Sequence, residues 1–274
     1  MKNFFQRAIT AAAFVAVLLS CTFYSHITFT ALFTLITLLG TWEFYKLVEK
    51  DGATRPQRVM GAVTAGVMFV TNAVFSMTQM NIRVLLFIFP FIFSIFIIEL
   101  YRKKEQPFRN IAYTILGIIY VAVPFTLLNY ILTCKGNYAP QILFGFFFIL
   151  WSNDTGAYLT GSLLGKRKLF PRISPGKSWE GSIGGALITY GVVFLISSWY
   201  TIINLRDWMV IGNILIIVGT LGDLVESLLK RSINVKDSGT LLPGHGGILD
   251  RFDSLLMATP FVFTYLYLIK NIYL

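Results

Sequence analysis

The chain has 274 residues, of which 55% are hydrophobic and only 13% are charged. A soluble domain carries about 25% charged residues, so this composition excludes an ordinary soluble protein. The apolar residues form long, unbroken runs rather than the short alternating segments of an outer-membrane barrel, which indicates membrane-spanning helices.

Nine apolar runs are long enough to cross a bilayer, which predicts an all-α polytopic membrane protein. The predicted spans are residues 8–24, 27–47, 59–78, 84–100, 111–133, 141–163, 182–204, 208–222 and 253–273. The eighth run is short, and we expect its helix to continue beyond the bilayer.

The distribution of basic residues predicts the orientation of these spans. With the N-terminus in the cytoplasm, all of the 23 Lys and Arg residues but Arg83, Lys135, Arg206 and Lys270 fall on the cytoplasmic side. Because cytoplasmic loops are enriched in basic residues, this asymmetry predicts a multi-pass protein of the inner (cytoplasmic) membrane. The net charge of +10 then reflects topology and anionic lipids. No compact basic domain is present, so no nucleic acid is expected as a partner.

Polar groups divide the chain into two regions of different character. Residues 1–140 carry acidic groups only near predicted span ends or in loops, and we interpret them as scaffold helices. Residues 141–274 form the predicted catalytic region, with cytoplasmic loops at 164–181 and 223–252, within one integral domain. Asp154 falls inside the sixth predicted span, where a carboxylate is costly unless it is paired or binds a metal.

The first of these loops contains the sequence Ser174-Pro175-Gly176-Lys177. Ser before Pro is typical of a helix start, so the pattern predicts a capped helix N-terminus here. The free backbone N–H groups of such a terminus, together with Lys177, would suit a phosphate. Gly181 and Gly185 follow at a spacing that favours close packing against another helix.

The second loop region begins with a polar stripe on a predicted helix. Asp223, Glu226, Ser227 and Lys230 are spaced to lie on one helical face that emerges from an apolar span. A glycine-rich segment around His245 follows, and glycines there let the backbone approach a ligand closely.

Asp250 and Asp253 then open the ninth predicted span, three residues apart, with Arg251 between them. Several carboxylates, several cations and a flexible loop are therefore expected to meet at the cytoplasmic lipid boundary. That combination indicates metal-assisted phosphate chemistry.

Three segments of the chain resemble those of one enzyme family. The pattern from Ser227 to Asp253 contains Ser227-x-Leu229-Lys230-Arg231, Lys236-Asp237-x-Gly239 and Leu242-Pro243-Gly244-His245-Gly246-Gly247-Ile248-x-Asp250-Arg251-x-Asp253. This pattern resembles the signature of the phosphatidate cytidylyltransferase (CDP-diacylglycerol synthase) family. Asp154–Tyr158 and Ser174–Gly181 are similar to two other recurrent segments of that family. Residues 1–140 match only in hydropathy and number of spans.

The resemblance implies a reaction in which CTP and phosphatidic acid give CDP-diacylglycerol and pyrophosphate. It also implies a divalent metal, usually Mg²⁺, a homodimer, and a site that faces the cytoplasm beside membrane lipids.

Roles for individual residues follow as hypotheses. Asp223 and Asp250 are the first candidates for metal ligands, and Asp154, Asp237 and Asp253 are further candidates. Lys230, Arg231, Lys236 and Arg251 are expected to hold phosphates of CTP or lipid, and Ser174, Lys177 and Ser227 to contribute to substrate binding. His245 is expected to contact a phosphate or to protonate the leaving group.

Two other functions remain open from the sequence. A CTP-dependent lipid-alcohol kinase would use similar groups, but it would need a dedicated base for its alcohol and would release CDP. A cation-coupled transporter could use Asp154. It is less consistent with the absence of a visible internal repeat and with polar motifs that all lie on one side.

Overall fold

The computed structural model describes residues 2–78, 82–133, 137–235, 237–239 and 246–269. The described residues are mostly helical. The α-helices are α1 (Lys2–Tyr24), α2 (His26–Val48), α3 (Arg58–Thr78), α4 (Ile88–Arg102), α5 (Pro107–Gly117), α6 (Val123–Leu132), α7 (Pro140–Leu164), α8 (Trp179–Trp199), α9 (Leu205–Ser232) and α10 (Leu249–Thr264). A 3₁₀ segment, Ile82–Phe87, precedes α4, and π-helical turns join α5 to α6 and extend α10 through Ile269.

Among the described residues, seven helical stretches are long and apolar enough to cross a bilayer. Each of the nine predicted runs coincides with a helix, so the prediction of an all-α polytopic membrane protein is confirmed. The count of nine spans and the position of the N-terminus stay predictions.

Several predicted runs differ from the helices in length. The ninth run begins later than α10 does, and its residues 270–273 lie outside the described residues. The eighth run is part of the 28-residue α9, which continues through Ser232 as expected. The seventh run was extended too far, because α8 ends at Trp199 and the backbone leaves helical geometry at Tyr200. The carbonyl of Tyr200 instead accepts a hydrogen bond from the indole of Trp208, at 3.1 Å.

The chain divides into two compact units. The first unit contains Met1–Tyr138 and Ser232–Phe252, and the second contains Ala139–Arg231 and Asp253–Leu274. Most of the predicted signature segment thus belongs to the same unit as the N-terminal helices.

Helices α2, α3 and α5 of the first unit pack around Tyr45. A Cβ on Gly61 would lie 2.2 Å from the Tyr45 hydroxyl, and one on Gly117 would lie 2.4 Å from its ring, so both neighbours must be glycine. The Tyr45 hydroxyl donates to the carbonyl of Thr114, at 2.7 Å. This bond satisfies the polar end of a fully buried side chain.

An aromatic group ties the signature segment to the first unit. Phe252 lies edge-on to Phe125, with ring centroids 5.3 Å apart, and Phe33 lies 6.1 Å from Phe252. Such edge-to-face pairs stabilise packing beyond the area that they bury.

In the second unit, α7 and α8 pack closely through glycines, as predicted for Gly181 and Gly185. A Cβ on Gly185 would lie 2.8 Å from the carbonyl oxygen of Asn153, and one on Gly181 would lie 2.8 Å from that of Ala157. Small residues of this kind let helix backbones approach each other in a membrane.

The segment from Ser174 to Ser178 is strand β2, which pairs antiparallel with β1, Lys168–Phe170. The prediction of a helix N-terminus at Ser174 is therefore wrong. Helix α8 begins at Trp179, and its cap is Ser178, whose hydroxyl accepts the N–H of Gly181 at 3.2 Å. Pairing with β1 keeps the Ser174–Lys177 backbone extended. Those residues therefore form one strand of a hairpin rather than a first helical turn.

Candidate active site

The hairpin of the second unit contacts α9 at two points. The Lys177 ammonium lies 2.6 Å from a carboxylate oxygen of Asp223, and it also donates to the carbonyl of Thr220 at 3.3 Å. Further along α9, the Arg231 guanidinium donates to the carbonyl of Ile173 at 3.5 Å. The first predicted loop and the polar end of α9 thus lie together, as the sequence led us to expect.

Backbone contacts close the hairpin at its base. The Glu180 carboxylate accepts hydrogen bonds from the backbone N–H groups of Lys166 and Arg167, each at 3.1 Å. The N–H of Trp179 donates to the carbonyl of Arg167 at 2.9 Å. These bonds fix the direction in which β2 presents Lys177.

Two further carboxylates of the second unit lie near this ion pair. Asp154, on α7, interacts electrostatically with Lys177 and Asp223. Asp253, on α10, interacts with Asp223 and Asp154 and contacts Glu226. We call Asp154, Asp223, Asp253 and Lys177 the acidic cluster. It brings three carboxyl groups together beside one lysine, and carboxylate oxygens are the ligands that a hard divalent cation uses.

Two glycines of α9 make this cluster possible. A Cβ on Gly222 would lie 2.7 Å from the carbonyl oxygen of Asp253, and one on Gly219 would lie 3.0 Å from the Leu150 side chain. Because neither position has a side chain, α9 approaches α10 and α7 closely enough for Asp223 to interact with Asp253. In the sequence Gly219-x-x-Gly222-Asp223, the two glycines therefore have a structural role: they allow the close helix packing that places Asp223.

The predicted polar stripe is present on α9. The Ser227 hydroxyl donates to Asp223 at 3.4 Å, and the Lys230 ammonium lies 3.3 Å from Glu226. Glu226 is fully buried, and Lys230 is largely buried as well. The Glu226–Lys230 pair of the stripe therefore faces protein, whereas Asp223 stays partly exposed.

Asp250 is held within the first unit. One of its carboxylate oxygens, Oδ2, accepts hydrogen bonds from the Ser238 N–H at 3.2 Å, the Ser238 hydroxyl at 2.8 Å and the Gly247 N–H at 2.9 Å. Gly246 adopts φ +80°, a left-handed conformation that favours glycine. A Cβ on it would also lie 2.5 Å from Asp250 Oδ2. Gly246 and Gly247 thus lie directly against this carboxylate.

The remaining predicted residues fall into two groups. Lys236 and His245 lie outside the described residues, so their roles stay predictions. Asp237 and Arg251 are exposed, and so is Arg231. Ser174 is half-buried in β2.

The carboxylate oxygens of the acidic cluster are the right type of ligand for a hard divalent cation, but they are too few to form a complete metal site by themselves. Asp154, Asp223 and Asp253 offer the carboxylate oxygens that Mg²⁺ prefers. Within the part of the chain that the structure describes, no group of three His, Cys, Asp or Glu side chains has the arrangement of a complete metal site. Mg²⁺ is often bound by one or two carboxylates together with water and substrate phosphates, which this set can supply.

Sequence reasoning missed Glu43. It lies on α2, in the region interpreted as scaffold, and its side chain contacts the signature segment of the first unit. A carboxylate within the second predicted span was the available signal, because an ionisable residue there needs a partner.

Comparison with known proteins identifies the family. The model of the cytidylyltransferase family matches residues 5–269, nearly the whole chain. The chain belongs to the cytidylyltransferase family. The resemblance found in the three sequence segments is thereby confirmed, and it extends to the scaffold helices that matched only in hydropathy.

Several bacterial proteins named phosphatidate cytidylyltransferase are similar to this cytidylyltransferase family member. Those of Staphylococcus haemolyticus and Staphylococcus saprophyticus are 44% identical to it over 160 residues, and that of Staphylococcus aureus is 42% identical over 160 residues. The aligned region covers 58% of this chain and 60% of each relative.

Proposed function

We propose that this protein transfers the cytidylyl group of CTP to phosphatidic acid, giving CDP-diacylglycerol and pyrophosphate. The observation that carries the proposal is the family match across residues 5–269. The names of the aligned staphylococcal relatives support the choice of substrates. The acidic cluster and its lysine supply groups of the kind that this reaction requires.

The nucleophile in this reaction is the phosphate of the lipid. A phosphomonoester has a second pKa of about 6, so it is largely ionised at neutral pH and needs no strong general base. An oxygen of this phosphate attacks the α-phosphorus of CTP, and the bond from that phosphorus to the β-phosphate bridging oxygen breaks. The main barrier is the repulsion between two anions and the charge that develops on pyrophosphate.

Basic side chains reduce that repulsion. We assign Lys177 and Lys230 to phosphates of CTP because their ammonium groups lie at the polar face of α9, where the proposed metal ligand Asp223 is found. Lys177 pairs with Asp223 there, and Lys230 pairs with Glu226. Arg231 and Arg251 are exposed cations that can bind a lipid or nucleotide phosphate. Ser174 and Ser227 stand close to these groups in the sequence and are proposed to donate hydrogen bonds to substrate. Lys236 and His245 are proposed to act on the phosphates as well.

We propose that a divalent metal, Mg²⁺ in the first instance, assists the reaction. Asp223 would hold it together with Asp154 or Asp253, and Asp250 and Asp237 stay further proposed ligands. When bound, such an ion neutralises charge on the transferring phosphate and on pyrophosphate. Lys177 would then be able to leave Asp223 for a nucleotide phosphate, because the ion replaces it as the counter-charge.

We propose a location in the cytoplasmic membrane with the site facing the cytoplasm. The support is the uneven distribution of basic residues between the two sides of the predicted spans. A homodimer is proposed from the resemblance to the family.

Product analysis tests the proposed reaction directly. Purified protein would be incubated in detergent with Mg²⁺ and CTP that carries separate labels in the cytidine and in the γ-phosphate. The lipid acceptor would be phosphatidic acid in one reaction and a lipid alcohol in a parallel reaction. We expect the cytidine label in the lipid extract and the γ-label in pyrophosphate. Cytidine label in free CDP, with the γ-label in the lipid, would instead identify a CTP-dependent lipid kinase.

A further inference from the structure

A buried carboxylate on α2 is surrounded by the signature segment of the same unit. Glu43 is 2% exposed. Its Oε2 accepts the N–H of Ile248 at 3.0 Å, and its Oε1 accepts the N–H of Leu249 at 3.1 Å. The Ser238 hydroxyl lies 2.5 Å from Oε1. These bonds join residues that are about two hundred positions apart in the sequence.

The two backbone donors are at the beginning of α10, which starts at Leu249. The first N–H groups of a helix have no partner within it, and the N-terminus carries a partial positive charge. Glu43 therefore caps α10 from another helix, with charge-assisted hydrogen bonds that are stronger than neutral ones. Asp250 is the second residue of the same helix.

Glycines of the signature fit around the Glu43 carboxylate. A Cβ on Gly247 would lie 1.9 Å from Glu43 Oε1, and one on Gly239 would lie 2.7 Å from Oε2. Any larger residue at position 247 would push the carboxylate away from its donors. These two glycines are thus required by a buried acid of the first unit, a reason that does not involve substrate.

Ser238 connects this acid to Asp250. Its hydroxyl lies 2.8 Å from Asp250 Oδ2 as well as beside Glu43, and its N–H donates to the same Asp250 oxygen. Gly247, whose N–H also donates to Asp250, is in contact range of Glu43. The orientation of Asp250 therefore depends on a segment that Glu43 fixes.

We propose that Glu43 is a positioning residue that holds Ser238 and the first turn of α10 so that Asp250 keeps one orientation. Glu43 itself touches no reacting atom. The activity part of this inference rests on the proposed function, and the structural part does not.

The test compares Glu43→Gln with a matched control, Glu99→Gln. Glu99 is also a buried carboxylate on a helix of the first unit that is long enough to span a bilayer, and it is 5% exposed. It accepts hydrogen bonds from Gln57, Arg102 and Asn110 instead. For each variant, amide hydrogen exchange of residues 246–252 would be measured together with kcat and KM for CTP and phosphatidic acid.

For Glu43→Gln we expect exchange in 246–252 to be about tenfold faster or more, and kcat to be lower by about tenfold or more. Both KM values should stay within about threefold, because a positioning residue mainly affects the transition state. Glu99→Gln should accelerate exchange in 246–252 by no more than its loss of global stability, measured on the same sample, explains. Unchanged exchange in Glu43→Gln, or the same exchange pattern in both variants, would overturn the inference.

Two additional variants keep the inference testable if Glu43→Gln does not fold. Ser238→Ala removes the hydroxyl between the two acids, and Gly247→Ala displaces the Glu43 carboxylate from the other side. Each should accelerate exchange in 246–252 and lower kcat, and normal values in both would contradict the proposed role. If the wild-type protein showed no nucleotidyl transfer, the proposed function would be refuted. The exchange measurement would still decide whether Glu43 holds Ser238 and the first turn of α10 in place.

Discussion

The carboxylates of the acidic cluster in the second unit and the Glu99 carboxylate in the first unit differ in exposure and in the number of donors around them. Asp223 has 35% of its side chain exposed and is accompanied by two other acids and one lysine. Glu99 has 2% of its side chain exposed and receives hydrogen bonds from Arg102, Gln57 and Asn110. One acid is only partly compensated, and the other has donors on both of its oxygens.

The difference indicates how to separate chemistry from structure among acids near a membrane. A buried carboxylate with a full set of donors needs no further ligand, and removing it or one of its donors destabilises the fold. Three carboxyl groups around a single lysine offer more oxygen ligands than the lysine can satisfy, and a bound cation would use them. By this criterion we expect a cation at the acidic cluster rather than at Glu99.

The largest expected effect is at the centre of the acidic cluster. Asp223→Asn keeps the size of the side chain and removes the charge that pairs with Lys177 and would bind the metal. We expect kcat/KM to fall by about a thousandfold, or roughly 4 kcal/mol in the barrier. Steady-state rates at several Mg²⁺ concentrations would measure this loss. Activity within tenfold of wild type would remove Asp223 from the proposed metal site.

Asp250→Asn should have the next largest effect. The amide oxygen can still accept the N–H groups of Ser238 and Gly247, so the protein should insert and fold normally. We expect turnover to fall by about a hundredfold, roughly 2.7 kcal/mol in the barrier, because the charge is lost. Rates would be measured beside a thermal unfolding curve, and near-normal turnover would show that Asp250 has a structural role only.

Lys177→Met tests the cation of the cluster. The substitution keeps a long apolar stem and removes the ammonium that lies 2.6 Å from Asp223. We expect KM for CTP to rise by about tenfold to a hundredfold, with a smaller change in the KM for lipid. Substrate titrations would separate the two values. An increase confined to the lipid would move Lys177 to the phosphatidic acid phosphate.

Glu99→Gln should affect stability rather than chemistry. It breaks the ion pair with Arg102 and faces two amide donors with an amide of its own. We expect a loss of about 1–3 kcal/mol in the free energy of unfolding. Specific activity of the folded fraction should stay within a few-fold. Thermal unfolding in detergent would detect the loss of stability. A large loss of activity at unchanged stability would contradict the assignment of Glu99 to the structure rather than to the chemistry.

The smallest effect is expected at Lys104, an exposed residue that we assign to membrane topology. Lys104→Ala should leave turnover within a few-fold of wild type, since it removes one surface charge that is distant in the sequence from every predicted motif. Steady-state assay in lipid vesicles is the check. A loss of about a hundredfold would show that a basic residue of the N-terminal region takes part in catalysis.

Much of the fold was predictable because apolar runs of spanning length determine helices almost by themselves. Each predicted run matched a helix, and α9 continued past its apolar part as expected. The end of α8 was misplaced because Tyr200 and its neighbours are apolar enough to continue a span, and only the bond from the Trp208 indole shows where the chain turns.

The site was predictable where a local pattern carries it and unpredictable where a distant contact does. Spacing placed Asp223, Ser227 and Lys230 on one helical face, and the structure agrees. A cap signal at Ser174 was overridden because strand pairing with β1 competes for the same backbone. The contact between Glu43 and Leu249 joins parts of the sequence with no local relation, so no spacing rule could reveal it.

The length of α9 has a consequence for the lipid that surrounds the protein. At about 1.5 Å per residue, its 28 residues measure about 42 Å, whereas the hydrocarbon layer of a bilayer is about 30 Å thick. Asp223 lies about 27 Å along the axis from Leu205, and Lys230 about 38 Å. With Leu205 at one boundary of the hydrocarbon layer and α9 perpendicular to it, we expect Asp223 near the opposite boundary and Lys230 at the level of the lipid headgroups. Vesicles made from lipids with shorter or longer tails should change how readily a headgroup phosphate reaches that height.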